Sequence, residues 1–347
     1  MKKLNVIVTG ASGYIGSLLC EKLLLLGENV IGIDMLPPNV SHPNYSHLSM
    51  DLSKNDIEID SSIRIERIYH LASIVKNGRI SESVLYHQNI NSAKNILKFA
   101  RQRNIHLTFS SSNSIFDFSS PNPLNELVHP SPLDGYGKSK FVVETLLRES
   151  YKAKSLILRL PIVMGEGRAG FFSIIFNIIK SDLPIILPKE SAVMEFVDNE
   201  YVVDLIIRSS QDELSGIYNI GTREVFQLND MIKSLVETVH SNSRLIYLPN
   251  WFYIFTLKVL GFLKLSPFGL FQIKSLTKGM YMTVSDLQKK YSLDIVEPVN
   301  LLVDSYRKYL AESDDVSGLS INRSRIRLPM GNLLDIFNKV LNFVRRR

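Results

Sequence analysis

Tyr136 and Lys140 stand four residues apart in Tyr136-Gly137-Lys138-Ser139-Lys140. That spacing puts a phenol and an ammonium on neighbouring positions of one helix face. A phenol with its ordinary pKa of about 10 is a poor base at neutral pH, and a nearby cation stabilises the phenolate and lowers that barrier. The pair can therefore take and return the proton of a hydroxyl group. The 7 histidines are dispersed without paired ligand spacing, and no nucleophile–histidine–carboxylate pattern occurs. Neither a metal nor hydrolase chemistry is implied.

A second set of residues points to a bound dinucleotide. Thr9-Gly10-Ala11-Ser12-Gly13-Tyr14-Ile15-Gly16 places three glycines between an apolar run and a helical pattern. Bare backbone there serves a tight turn, the close approach of a pyrophosphate to a helix N-terminus, and helix packing. Asp34 ends the next apolar run, 18 residues past Gly16. A carboxylate at that place accepts hydrogen bonds from the adenosine ribose hydroxyls and repels a 2′-phosphate, which favours NAD over NADP.

The elements that must position these groups follow from periodicity. A buried strand is expected over 3–9, the glycine turn over 10–16 and a helix over 17–26 that stops at Gly27. A strand over 29–33 ends at Asp34, and a third apolar piece ends at Met50-Asp51-Leu52. Strands are then expected over 67–71, 105–111 and 155–160, with helices over 81–103 and 134–153. This alternation predicts a doubly wound parallel α/β sheet of the Rossmann type, helices on both faces. Regularity ends after Pro161. A cofactor domain over 1–165 is expected, a smaller C-terminal substrate region over 166–194 and 222–310, and a strand, helix and strand within 195–221 that rejoin the first domain. Residues 311–330 read as a linker, and 331–347 as a basic amphipathic tail helix.

The spacing Gly-x-x-Gly-x-x-Gly resembles the extended short-chain dehydrogenase/reductase superfamily, also called the NAD-dependent epimerase/dehydratase family, and the resemblance runs over about residues 3–220. Asp51-Leu52 is similar to the pair that family sets beside the adenine, His70-Leu71-Ala72 to its strand-end motif near the cofactor, and Asn89 to a matching helix position. Phe109-Ser110-Ser111-Ser112-Asn113-Ser114-Ile115-Phe116-Asp117 resembles the family's Ser-Ser-x-x-Val-Tyr-Gly motif, 24 residues before the tyrosine. The resemblance implies that Ser112 hydrogen-bonds the reacting sugar oxygen, with Ser111 the alternative in a register shifted by one. It further implies that Lys140 holds the nicotinamide ribose and that Pro161 and Ile162 shape the nicotinamide pocket. The implied cofactor set is Gly10, Ser12, Gly13, Tyr14, Ile15, Gly16, Asp34, Asp51, Leu52, Leu71, Ala72, Asn89, Tyr136, Lys140, Pro161 and Ile162. Phe116 and Asp117 replace the motif's tyrosine and glycine, and Met194 stands where relatives often carry a diphosphate-binding arginine. Either another cation, such as Arg168 or Lys189, holds the phosphate, or the substrate differs from a simple nucleotide sugar.

A chain of 347 residues, 45% hydrophobic and 21% charged, suits one large globular fold. With Cys20 as the sole cysteine no intrachain disulfide is possible, and a cytoplasmic setting is expected. The net charge of +6 resides in residues 321–347, where seven Lys or Arg face one acid. The rest is balanced, so nucleic-acid binding is not implied. Residues 251–265 are too short to span a bilayer and read as a helix over the pocket or as an interfacial segment. The tail reads as a docking helix, a homodimer contact, or a peripheral contact with the inner face of a membrane.

Together these features predict an NAD-dependent sugar 4-epimerase acting on a UDP- or undecaprenyl-diphosphate-linked hexose or N-acetylhexosamine, in surface polysaccharide synthesis. A 4-ketoreductase uses the same residues. A membrane-associated hydroxysteroid-type dehydrogenase resembles the apolar C-terminal third, and a non-catalytic NAD-binding scaffold is the remaining alternative.

Overall fold

The computed structural model describes residues 4–75, 80–165, 171–222, 224–262, 270–293 and 297–314. Strand β1 (Asn5–Thr9) enters the glycine turn, and α1 (Tyr14–Leu25), β2 (Asn29–Asp34), β3 (Tyr45–Ser49) and β4 (Arg67–His70) follow. Next come α2 (Glu82–Arg103), β5 (His106–Ser112), α3 (Gly135–Ser150) and β6 (Ser155–Leu160). The sheet is wholly parallel and seven-stranded, in the order β11-β6-β5-β4-β1-β2-β3, with β11 (Gly216–Asn219) arriving late in sequence. Numbered in chain order, the intervening elements are β7 (Ile162–Met164), α4 (Phe171–Lys180), β8 (Ile185–Pro188), β9 (Val193–Met194), β10 (Phe196–Asp198) and α5 (Asn199–Gln211).

Alternation along β1 separates two cores. Val6 and Val8 pack with Leu19 and Leu23 of α1 and with Val202 and Ile206 of α5. Ile7 faces the other side, with Ile68, Ile96 of α2, Leu107 and Leu147 of α3. The period of two thus supplies a helix layer on each face. The chain winds from β1 through β2 to β3 on one side, then crosses back to β4 on the other side of β1, so the carboxyl ends of β1 and β4 form the topological switch point of the sheet.

Several boundaries differ from the sequence expectation. Helix α1 begins at Tyr14, because Gly13 already serves as its N-terminal boundary and Gly13 O accepts from Ser17 N at 2.9 Å. Helix α3 stops at Ser150 and a short 3-10 turn over Lys152–Lys154 leads into β6. The third apolar piece ends as strand at Ser49, before Asp51. Within the segment expected to rejoin the first domain, β11 enters the sheet beside β6, whereas β10 pairs in parallel with β7 after Pro161.

The region that follows β7 has its own core. Phe172, Phe176, Met231, Leu235, Leu302 and Tyr306 meet there, and Leu245–Leu248 paired with β8 and Phe226–Gln227 paired with β9 cover it. Its remaining elements are β12 (Phe226–Gln227), α6 (Leu228–Thr238), β13 (Leu245–Leu248), α7 (Asn250–Phe262), α8 (Leu270–Ser275), α9 (Asp286–Tyr291) and α10 (Pro298–Asp314). Helix α10 continues to Asp314, into the stretch expected as linker, carrying Tyr306 on its inner side. The rest of that stretch, the tail over 331–347 and Arg168 lie outside the described residues.

Candidate active site

Helix α3 delivers Tyr136 and Lys140 because its start is pinned. Asp134 caps it, its Oδ1 accepting from Gly137 N at 2.8 Å, so Tyr136 falls in the first turn and Lys140 one turn later. Gly137 is needed for contact: a Cβ there would lie 2.1 Å from Ser114 O. Lys140 is 3% exposed. Its Nζ donates to Ser110 O at 2.7 Å and lies 4.7 Å from the Phe109 ring centroid and 5.6 Å from that of Tyr136. Burial pushes the Lys140 pKa down to about 7, against the opposing charge of Glu144. An ammonium beside the phenol, titrating near neutrality, can both stabilise a phenolate and pass on a proton.

Ser112 ends β5 and is half-buried, while Ser111 is buried and its hydroxyl has no hydrogen-bond partner among the described residues. The Ser112 Oγ accepts from Ser114 N at 3.2 Å and from Ser114 Oγ at 3.0 Å. Its own O–H is thereby left to donate. Of the two hydroxyls, that of Ser112 is the less buried.

The glycine turn fits a pyrophosphate cradle. Gly10 has φ +71°, its N donates to Ile33 O at 2.8 Å, and a Cβ there would lie 2.8 Å from Ala72 N. Gly13 N donates to Gly10 O at 2.9 Å. A Cβ on Gly16 would lie 2.0 Å from that same Gly10 O, so only glycine lets α1 settle on the turn. Ile15 packs against the α1-side core. Asp34 accepts from Ser12 N at 3.1 Å and from Leu36 N at 3.0 Å, which ties the turn to the end of β2. Tyr14 spans towards the other half of the site: a Cβ on Gly165 would come within 2.7 Å of its hydroxyl oxygen, and Asn199 Nδ2 donates to Tyr14 O at 3.1 Å.

Other residues expected near the cofactor stand behind this surface. Ser12 commits its hydroxyl to Leu36 O. Asn89 is buried, exchanges hydrogen bonds with both backbone groups of Ile74, and donates to Ser139 Oγ at 3.2 Å. It joins α2, the loop after β4 and α3. Leu52 is in the core, and Asp51 caps its own turn through Ser53 and Lys54. Leu71 N donates to Thr9 O and Ala72 N to Thr9 Oγ1, setting both residues against Gly10. Pro161 is buried and Ile162 half-buried where β6 gives way to β7.

Four supports were not read from the sequence. Thr9 Oγ1 is 2.7 Å from His70 Nδ1, and burial, followed by the charge of Lys140, pushes the His70 pKa down to about 3. His70 also stacks on Phe109, the ring beneath Lys140. Glu144 and Arg159 pair in the interior. Asp117 gathers Ser119, Ser120 and Ser131, and the Ser119 hydroxyl leads in holding its pKa down to about 2. Only the last, Asp117, had a signal available: aspartate followed two residues later by serine marks an Asx turn. Met194 is buried and pairs with Phe226, whereas Lys189 is exposed.

The profile of the NAD dependent epimerase/dehydratase family matches residues 6–221. A protein of Sinorhizobium fredii named "Uncharacterized protein y4nG" is 26% identical over 291 residues, 82% of this chain and 73% of the relative. A putative UDP-glucose 4-epimerase of Methanocaldococcus jannaschii is 28% identical over 261 residues, 70% of this chain and 85% of the relative. Among solved structures, the UDP-N-acetylglucosamine 4-epimerase from Methanobrevibacter ruminantium M1, in complex with UDP-N-acetylmuramic acid, superposes with a TM-score of 0.73 at 20% identity, over 90% of this chain and 100% of that one. At that identity the likeness shows the fold.

Proposed function

The chain belongs to the NAD-dependent epimerase/dehydratase family, and we propose that within it this protein is a sugar 4-epimerase acting on a UDP- or undecaprenyl-diphosphate-linked hexose or N-acetylhexosamine. The observation that carries the reading is the placement of the buried Lys140 ammonium between Ser110 O and the Tyr136 ring, with Ser112 at the end of the same strand as Ser110. The cradle of Gly10, Gly13 and Gly16, with Asp34 beside it, suits NAD. When bound, NAD supplies a group that accepts and returns hydride at the sugar carbon. Tyr136 takes the proton of the C4 hydroxyl and gives it back. Ser112 donates to the same oxygen and holds it in place. Lys140 stabilises the Tyr136 phenolate and anchors the ribose of the cofactor. For inversion at C4 the keto sugar must present its other face before hydride and proton return, with Tyr136 and Ser112 again meeting the C4 oxygen.

The test is incubation of purified protein with UDP-N-acetylglucosamine and with its undecaprenyl-diphosphate counterpart. Protein that retains NAD through purification and equilibrates C4 epimers without added cofactor supports the reading. Turnover that needs stoichiometric reduced cofactor would replace it with a 4-ketoreductase.

A further inference from the structure

Helix α7 divides its apolar residues between two faces. Tyr253 and Leu257 enter the core of the region that follows β7, yet Trp251 is 73% and Phe255 58% exposed, with Phe252 and Val259 exposed beside them. Trp251, Phe255 and Val259 repeat every four residues, and Lys258, seven residues past Trp251, shares their face. Pro249 joins β13 directly to this helix, which packs on β8. On that strand pair Ile186 and Ile246 are register partners, and both are exposed. A protein surface that leaves this many large apolar side chains together is made for contact.

The charge around the face identifies what it contacts. From residue 238 to residue 285 the sequence has no aspartate or glutamate, and it carries Arg244, Lys258, Lys264, Lys274 and Lys278. Of these, Arg244, Lys258, Lys274 and Lys278 are among the described residues and all are exposed. Outside this stretch and the tail the chain carries more acids than Lys and Arg, so the loss of every acid here sets a positive sign on the local potential. Exposed tryptophan and phenylalanine with lysine at their margin suit a bilayer interface, where rings enter the headgroup–acyl boundary and ammonium groups meet anionic lipid. No described helix is long and apolar enough to cross a membrane.

We propose that the exposed face of α7, with Trp251, Phe252, Phe255 and Lys258, docks the protein on an anionic lipid surface. This contact does not depend on the reaction assigned above, since none of these residues belongs to the catalytic group.

Trp251 is the only tryptophan, so its fluorescence reports this face alone. With full-length protein and mixed phosphatidylglycerol–phosphatidylcholine vesicles, its emission is expected to shift to shorter wavelength and to be quenched by brominated acyl chains. Pure phosphatidylcholine should give a weaker shift, and salt should reverse part of it. The variant F252S/F255S, altered only at exposed positions, should lose vesicle affinity by roughly tenfold or more while turning over a water-soluble UDP-sugar as before. Emission unchanged by vesicles overturns the proposal, even if the protein sediments with them, because binding then runs through another segment. A shift that follows protein concentration in the absence of lipid overturns it in favour of a second copy of the chain. Undiminished affinity of F252S/F255S also overturns it.

Discussion

Arg159 Nη2 lies 2.8 Å from Glu144 Oε2 with both side chains closed off from solvent, and Arg159 Nε donates to the same carboxylate. Glu144 is one turn beyond Lys140 on α3, and Arg159 belongs to β6, so the pair fixes the catalytic helix to the sheet. Removing one partner leaves the other charge buried. R159M should therefore destabilise the fold by about 3–5 kcal/mol, read from denaturant unfolding. The double variant R159M/E144L should recover much of that loss. A single variant as stable as the parent would show that the pair does not anchor α3.

Tyr136→Phe removes one oxygen from a half-buried ring. Turnover should fall by roughly 10²–10⁴-fold, the usual weight of a general acid–base group, while NAD binding changes little. Turnover and retained cofactor are to be measured on the same sample. Activity near that of the parent would assign the proton transfer elsewhere.

Lys140 has an ordinary pKa of 10.5 when unfolded and about 7 in the fold, where burial disfavours its charge. Between those values the unfolded chain binds more protons, so this group makes the fold more stable as pH rises across that window. Below about 7 both states hold the proton and the full cost of the buried charge remains. Subtracting the K140M stability profile from that of the parent isolates the slope. A flat difference would mean that Lys140 is solvated.

Gly16→Ala would set a methyl group 2.0 Å from Gly10 O, a backbone atom that cannot swing aside. Gly10→Ala adds a positive φ to its clash with Ala72 N. Each should weaken NAD binding by roughly tenfold or more through displacement of the turn, measured by calorimetry on stripped protein. Equal affinity in both variants would exclude this turn from the cofactor site.

Glu195 is buried, and its carboxyl accepts from Thr222 N at 2.7 Å and Met282 N at 3.1 Å. Burial chiefly pushes its pKa up to about 8, which these hydrogen bonds oppose. Between the ordinary value of 4.5 and about 8 the folded state holds more protons, so stability contributed here declines as pH rises. E195Q should remove that decline. E195A, which leaves buried amides unpaired, should cost about 2–4 kcal/mol. Measured pH profiles that coincide for the parent and E195Q would place the carboxyl in water.

What could be read from the sequence was local. The run Asn5–Thr9, the three glycines and Asp34 succeed one another within one β-turn-α-β unit, and their spacing alone implies the cradle. The Tyr136–Lys140 pair is legible because helix periodicity brings i and i+4 together. The partners of these groups come from afar: Ser110 O reaches Lys140 across 30 residues, and Asn89 reaches Ser139 across 50. No periodicity announces such pairings. The same holds for β7–β10, β9–β12 and β8–β13, whose strands have two to four residues, too few to show alternation. Met194 reads as a missing cation, yet its place in the core follows from β9–β12 pairing. In α7 nearly every residue is apolar, so only the fold could say which side is covered.

Strand β11 has a further consequence for how the chain is made. It closes the sheet beside β6, yet residues 161–215 separate the two strands. A ribosome releases the amino-terminal part first, so during synthesis β6 waits with a row of unpaired backbone groups along its outer edge. Such an edge recruits other strands, and slow elongation through 161–215 lengthens its exposure. Translation speed across this stretch, and chaperone capture of the nascent chain there, should therefore govern how much protein reaches the native state.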